Sequence, residues 1–105
     1  MEYRNLGRTG LKVSALGFGC GNLGGLMVRG APNEREQAVA RARELGVNYF
    51  DTAPAYGDGL SEQHLGDALR PLNASVFVGT KFSLWPDDMG DGRGAVARVG
   101  PGTAS

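Results

Sequence analysis

The stretch Asn33-Glu34-Arg35-Glu36-Gln37-Ala38-Val39-Ala40-Arg41-Ala42-Arg43-Glu44-Leu45-Gly46-Val47-Asn48-Tyr49-Phe50-Asp51 decides the fold. Ala38, Val39, Ala42 and Leu45 recur at the spacing of one helical face, while Arg35, Arg41, Arg43 and Glu44 fall on the others. Asn33 is placed to cap this helix, with Glu36 three residues on and both acids facing the positive end of the macrodipole. Gly46 supplies a left-handed stop, so a helix is expected over about residues 33–45. Val47 to Asp51 follow at once with the β-branched and aromatic content of a strand. A helix that runs directly into a strand is half of a βαβ unit.

The same alternation continues in both directions. After Asp51 comes a loop, Thr52 to Leu60, with Pro54, Gly57 and Gly59; Ser61 then serves as an N-cap for a short amphipathic helix carrying Leu65, Ala68 and Leu69, which Pro71 ends. Val76 to Lys81 is nearly continuous apolar sequence closing in a charge, as in a strand buried on both faces whose last residue meets solvent. Upstream, Ala15 to Gly19 reads as a strand and Gly21 to Gly30 as a long glycine-rich loop. Tyr3–Leu6 and Leu11–Ser14 form a β-hairpin around Gly7-Arg8-Thr9-Gly10. Strands and helices alternating at intervals of about 30 residues mean right-handed crossovers and a parallel sheet, so the class is α/β.

From Pro86 onward the chain is polar and glycine-rich, and residues 95–105 hold no Leu, Ile or aromatic side chain. Ala95 to Val99 starts a helix pattern that Gly100-Pro101-Gly102 stops before it buries anything. Residues 1–85 are therefore read as the folded part and 86–105 as a disordered tail.

Composition narrows the function classes. The chain has 105 residues and 41% apolar content, enough for one small domain. Eleven basic residues balance eleven acidic ones, so no global field draws it to nucleic acid or an anionic membrane. The single Cys excludes a disulfide framework or a multi-thiolate zinc site, and no apolar run reaches signal-peptide or membrane-span length; a reducing cytoplasm is the expected compartment. Eighteen glycines, against a usual share of about 7%, point to loops and close backbone approaches.

Three residues carry chemistry. Asp51 closes the second strand and Lys81 the third, in consecutive βα units, so they sit at one rim of the sheet, where parallel α/β folds bind ligands. Tyr56 stands just beyond Asp51 in a loop whose Gly and Pro hold a rigid excursion over the strand ends. A tyrosine phenol is a weak acid at neutral pH, and a nearby ammonium favours its deprotonated form. Lys81 can play that part for Tyr56, with Asp51 holding the ammonium, giving a relay that protonates an oxyanion as it forms. Carbonyl reduction is the chemistry this suits. Gly19-Cys20-Gly21-Asn22-Leu23-Gly24 also fits the dinucleotide pattern G-x-G-x-x-G, but Gly25 to Pro32 separate it from its helix, against a Rossmann reading. Cys20 has no nearby histidine to activate it and reads as a small packed residue, His64 reads as a surface side chain, and Trp85 as either pocket lining or apolar cover.

The blocks Tyr3 to Ser14, Gly46 to Ala53 with Tyr56-Gly57, Ser61-Glu62 and Leu65-Gly66, and Gly79-Thr80-Lys81 closely resemble the aldo-keto reductases over about residues 3–84. The resemblance implies a partial (β/α)8 TIM barrel, an N-terminal hairpin plus about three βα units, with the hairpin closing the barrel's N-terminal end. It implies that Tyr56 is the acid/base, Lys81 its activator and Asp51 the support of Lys81. It further implies NADP(H) as cofactor, with Cys20, Gly21 and Asp51 toward the nicotinamide ribose, and a small carbonyl or sugar substrate. A complete barrel takes about 250 residues, and the family's histidine at the end of strand four has no counterpart after Lys81. The chain is accordingly read as truncated and inactive alone, with two open sheet edges that favour self-association. A non-catalytic binding or regulatory subunit of the same family, or an inert fragment, is the alternative.

Overall fold

The structure is a computed structural model that describes residues 1–83 and 92–99. A hairpin of β1 (Tyr3–Asn5) and β2 (Lys12–Ser14) comes first, pairing Tyr3 with Ser14 and Asn5 with Lys12. Then follow β3 (Phe18–Gly19), α1 (Leu26–Arg29), α2 (Pro32–Glu44), β4 (Tyr49–Asp51), α3 (Leu60–Leu69), β5 (Val76–Ser83) and β6 (Gly92–Val99). The main sheet runs β3-β4-β5-β6; the first three strands are parallel, as expected, and β6 is antiparallel to β5.

One face of this sheet is covered. Phe50, Val76 and Val47 pack with Val39 and Ala42 of α2 and with Leu65, Ala68 and Leu69 of α3, and Phe18 stacks obliquely on Phe50 at 5.4 Å between ring centroids. Because side chains alternate along a strand, Tyr49 and Asp51 of β4 and Gly79 and Lys81 of β5 face the other way. At Gly79 a Cβ would stand 2.1 Å from the Tyr49 hydroxyl oxygen, so any side chain there would displace the tyrosine. The α/β class and the partial barrel hold.

Local details differ from the sequence reading. Helix α2 starts at Pro32 rather than Asn33: proline's fixed φ suits the first helical position, and Glu34 Oε1 accepts the Ala31 amide at 2.9 Å. Helix α3 starts at Leu60 behind Gly59 in the left-handed region (φ 94°), which places Ser61 inside the helix instead of at its cap. His64 is half-buried, its Nδ1 2.5 Å from the Met27 carbonyl oxygen. Gly46, with φ 94°, ends the α2 segment as expected.

The tail departs most. Residues 92–99, expected to be disordered, form β6 along the outer edge of β5, with Val99 opposite Val76 and packed on the core, and the Arg98 guanidinium 5.3 Å from the Phe77 ring centre. An eight-residue strand with one unpaired edge offers a row of amides and carbonyls, and this segment satisfies them without needing large side chains. The edge expected on β5 is thus taken up by β6, and among the described residues β3 and β6 are the terminal strands of the sheet. Residues 84–91 and 100–105, with Trp85 and the remainder of the tail, lie outside the described residues.

Asn48 joins the hairpin to the sheet. Its Oδ1 accepts the Ser14 amide at 2.6 Å, its amide donates to Ser14 Oγ at 3.1 Å, and its Nδ2 donates to the Lys12 carbonyl at 3.0 Å. Asn48→Ala strands the Ser14 amide beneath the hairpin, and a loss of about 1–3 kcal/mol is expected, read as a lower urea midpoint with unchanged slope.

Candidate active site

Asp51 and Gly79 are register partners, so Lys81 lies two residues further along β5, beyond the end of β4. Its side chain reaches back over that gap. Lys81 Nζ donates to Asp51 Oδ1 at 3.2 Å and to the Thr52 carbonyl oxygen at 3.0 Å, and it lies 5.1 Å from the centre of the Tyr56 ring. The three residues singled out from the sequence thus meet at one rim, on the sheet face opposite the helices.

Burial alone pulls the Lys81 ammonium toward its neutral form. Hydrogen bonds to Asp51 and Tyr56, and the charges of both, outweigh that and raise its pKa above the ordinary lysine value. The cation is therefore secure at any physiological pH. Because the folded value lies above the unfolded one, the stabilisation is fully present below the ordinary lysine value of about 10.4 and is lost as pH rises through the raised folded value. Lys81 and Asp51 are close to half exposed (44% and 48%), so solvent limits the pair to at most about 1 kcal/mol. The stability gap between the parent chain and Lys81→Met is expected to stay constant from neutral pH to about 9 and to narrow above the lysine range; chemical denaturation across that span checks it.

Two groups to which sequence reading gave no part in the site complete the rim. The Thr52 carbonyl is a backbone acceptor, which no residue pattern announces. Ser61, buried in α3, donates from Oγ to the Cys20 carbonyl at 2.8 Å and lies 2.8 Å from Thr52 Oγ1, tying the loops after β3 and β4 together. Cys20 itself is 1% exposed, and its amide donates to the Asp51 carbonyl at 2.9 Å. Burial first, then the Asp51 charge, push its thiol up to about 12, so it stays protonated at neutral pH. Gly21 abuts Tyr56, whose Cζ stands 3.7 Å from the place of a Gly21 Cβ.

The structure thus gathers Asp51, Lys81 and, from the loop after β4, Tyr56 at one rim of a partial (β/α)8 barrel that carries an N-terminal hairpin. The model of the aldo/keto reductase family matches residues 15–98. The chain belongs to the aldo/keto reductase family. It is 51% identical over 93 residues to L-galactose dehydrogenase of Arabidopsis thaliana, covering 83% of this chain and 28% of that protein, and 42% identical over 80 residues to pyridoxal 4-dehydrogenase of Microbacterium luteolum, covering 76% and 23%. A probable voltage-gated potassium channel subunit beta of Oryza sativa is 37% identical over 97 residues, covering 86% of this chain and 29% of that protein. Among solved structures, the holo form of an aldo-keto reductase from Bacillus halodurans superposes with a TM-score of 0.56 at 40% identity, over 66% of this chain and 22% of that one. The chain spans less than a third of the length of these relatives. Among the described residues, no helix is long and apolar enough to cross a membrane.

Proposed function

We propose that this chain carries the proton-transfer rim of an NADP(H)-dependent oxidoreductase that interconverts a small carbonyl compound, or a sugar, with its alcohol. The observation that carries the proposal is the Lys81 ammonium held between the Asp51 carboxylate and the Tyr56 ring. In the reducing direction, Tyr56 Oη donates its proton to the substrate oxygen as negative charge builds there. Lys81 stabilises the phenolate left behind, and Asp51 with the Thr52 carbonyl keeps the ammonium in place. In the oxidising direction the phenolate accepts the hydroxyl proton.

Two glycines support a place for the nicotinamide end of the cofactor: a Cβ on Gly19, the register partner of Asp51, would meet nothing within 4 Å, and Gly21 keeps the backbone close to Tyr56. Asp51 and the Cys20–Gly21 backbone would hold the ribose side, and the cofactor, when bound, supplies the hydride. A buried, protonated Cys20 suits the reducing cytoplasm we propose as its setting.

The chain's only histidine, His64 of α3, is engaged with the Met27 carbonyl of α1 and does not join Tyr56 and Lys81. We therefore propose that the 105-residue chain alone does not turn over. Replacing the aligned segment of L-galactose dehydrogenase by residues 1–83 tests the rim: the chimera is expected to turn over with the host enzyme's own nicotinamide cofactor, and the short chain to leave NADPH fluorescence and absorbance unchanged. A folded chimera without turnover would sink the catalytic reading. A regulatory subunit, in keeping with the name of the rice relative, is the second reading.

A further inference from the structure

The chain after Tyr56 turns in an unusual way. Gly57 (φ 61°), Asp58 (φ 55°) and Gly59 (φ 94°) are consecutive left-handed residues, and Asp58 adopts that conformation against its own Cβ. Such a turn needs support from outside itself. The Gly57 amide donates to Asn22 Oδ1 at 3.0 Å, and Val28 fills the space a side chain on Gly57 would take, its Cγ1 2.6 Å from that Cβ position. The backbone of Asn22 is held in turn: its carbonyl accepts Arg29 Nη2 at 3.0 Å. The Arg29 guanidinium lies where a side chain on Gly25 would stand, 1.9 Å from that Cβ position. The residue before Asn22 is Gly21, against which the Tyr56 ring rests.

We infer that Asn22 is a positioning residue for Tyr56, gripping the turn on one side of the phenol through the Gly57 amide while its neighbour Gly21 supports the ring. The inference rests on the proposed role of Tyr56 in proton transfer and adds what holds the phenol over Lys81. Asn22 touches neither Lys81 nor Asp51 among its hydrogen-bond partners and is an exposed loop residue. Its removal therefore loosens the aim of the phenol rather than the charges around it. Arg29 acts one step further out, through the Asn22 carbonyl.

The test needs no turnover, so its result is separable from that of the functional proposal. In the 105-residue chain, NMR follows the nuclear Overhauser contact between the Tyr56 ring and Gly21 Hα, the contact between the Phe18 and Phe50 rings as a monitor of the fold, and exchange of the Gly57 amide. Asn22→Ala is expected to lose the Tyr56–Gly21 contact and the Gly57 protection while the Phe18–Phe50 contact persists. Asn22→Asp, whose carboxylate accepts the same amide, is expected to restore both. A Tyr56–Gly21 contact unchanged in Asn22→Ala overturns the inference, and so does loss in both variants with the fold intact. Should Asn22→Ala unfold, the parent chain decides: a Gly57 amide exchanging as fast as an open chain overturns the tether, and a protected one upholds it.

Discussion

Tyr56→Phe in the chimera is expected to lower turnover by about 10²- to 10⁴-fold, the usual worth of a positioned general acid, with KM nearly unchanged. The substitution is informative because so little else moves. Phenylalanine keeps the ring that rests on Gly21 and lies 5.1 Å from Lys81 Nζ, so packing and the attraction of ammonium for ring survive while the transferable proton is removed. Lys81→Met is expected to produce a loss of the same order, because it removes the charge that stabilises the phenolate. The double variant is expected to be little worse than either single one, since the two residues act as a unit. Asp51→Asn should cost less, because the Thr52 carbonyl still holds the ammonium at 3.0 Å. Steady-state kinetics separate these outcomes, and a Tyr56→Phe enzyme within tenfold of its parent would favour the regulatory reading.

Phe50→Ala is expected to destabilise the chain by about 3–5 kcal/mol. Phe50 is fully buried, stacks obliquely on Phe18 and sits where α2 and α3 meet the sheet. Total stability of a small domain is about 5–15 kcal/mol, so one residue accounts for a large share of it. Urea unfolding followed by circular dichroism should show the midpoint collapse toward zero denaturant. A change under about 1.5 kcal/mol, the cost of a mild repacking, would mean that the centre of the core lies elsewhere. The same strand then carries two faces: Phe50 belongs to the packed core, and Asp51, pointing the opposite way, to the proposed proton-transfer rim.

The features legible in the sequence are those governed by local period and strand order. Ala38, Val39, Ala42 and Leu45 announced α2, and placing Asp51 and Lys81 at the ends of consecutive strands was enough to bring them together without any tertiary information. The illegible ones were long-range hydrogen bonds and backbone acceptors. Ser61 follows a glycine-rich loop and has the appearance of a cap, yet its hydroxyl serves Cys20, 41 positions away. Thr52 contributes its carbonyl, which any residue would possess. Asn22 lies inside a glycine pattern that fits a dinucleotide fingerprint, whereas its side chain serves the Gly57 amide. The strand at 92–99 is illegible because its ladder is made by backbone groups, with Val99 packed on the core, against a composition that reads as unstructured.

That last strand bears on any attempt to rebuild a whole barrel from pieces. In an eight-stranded barrel each strand has a parallel neighbour on both sides, and β6 occupies one of those berths on β5 in the reverse direction. A polypeptide supplying later strands in trans would first have to peel this ladder away. Shortening the chain before Gly92 should therefore speed reassembly, and lengthening the complementing piece should not.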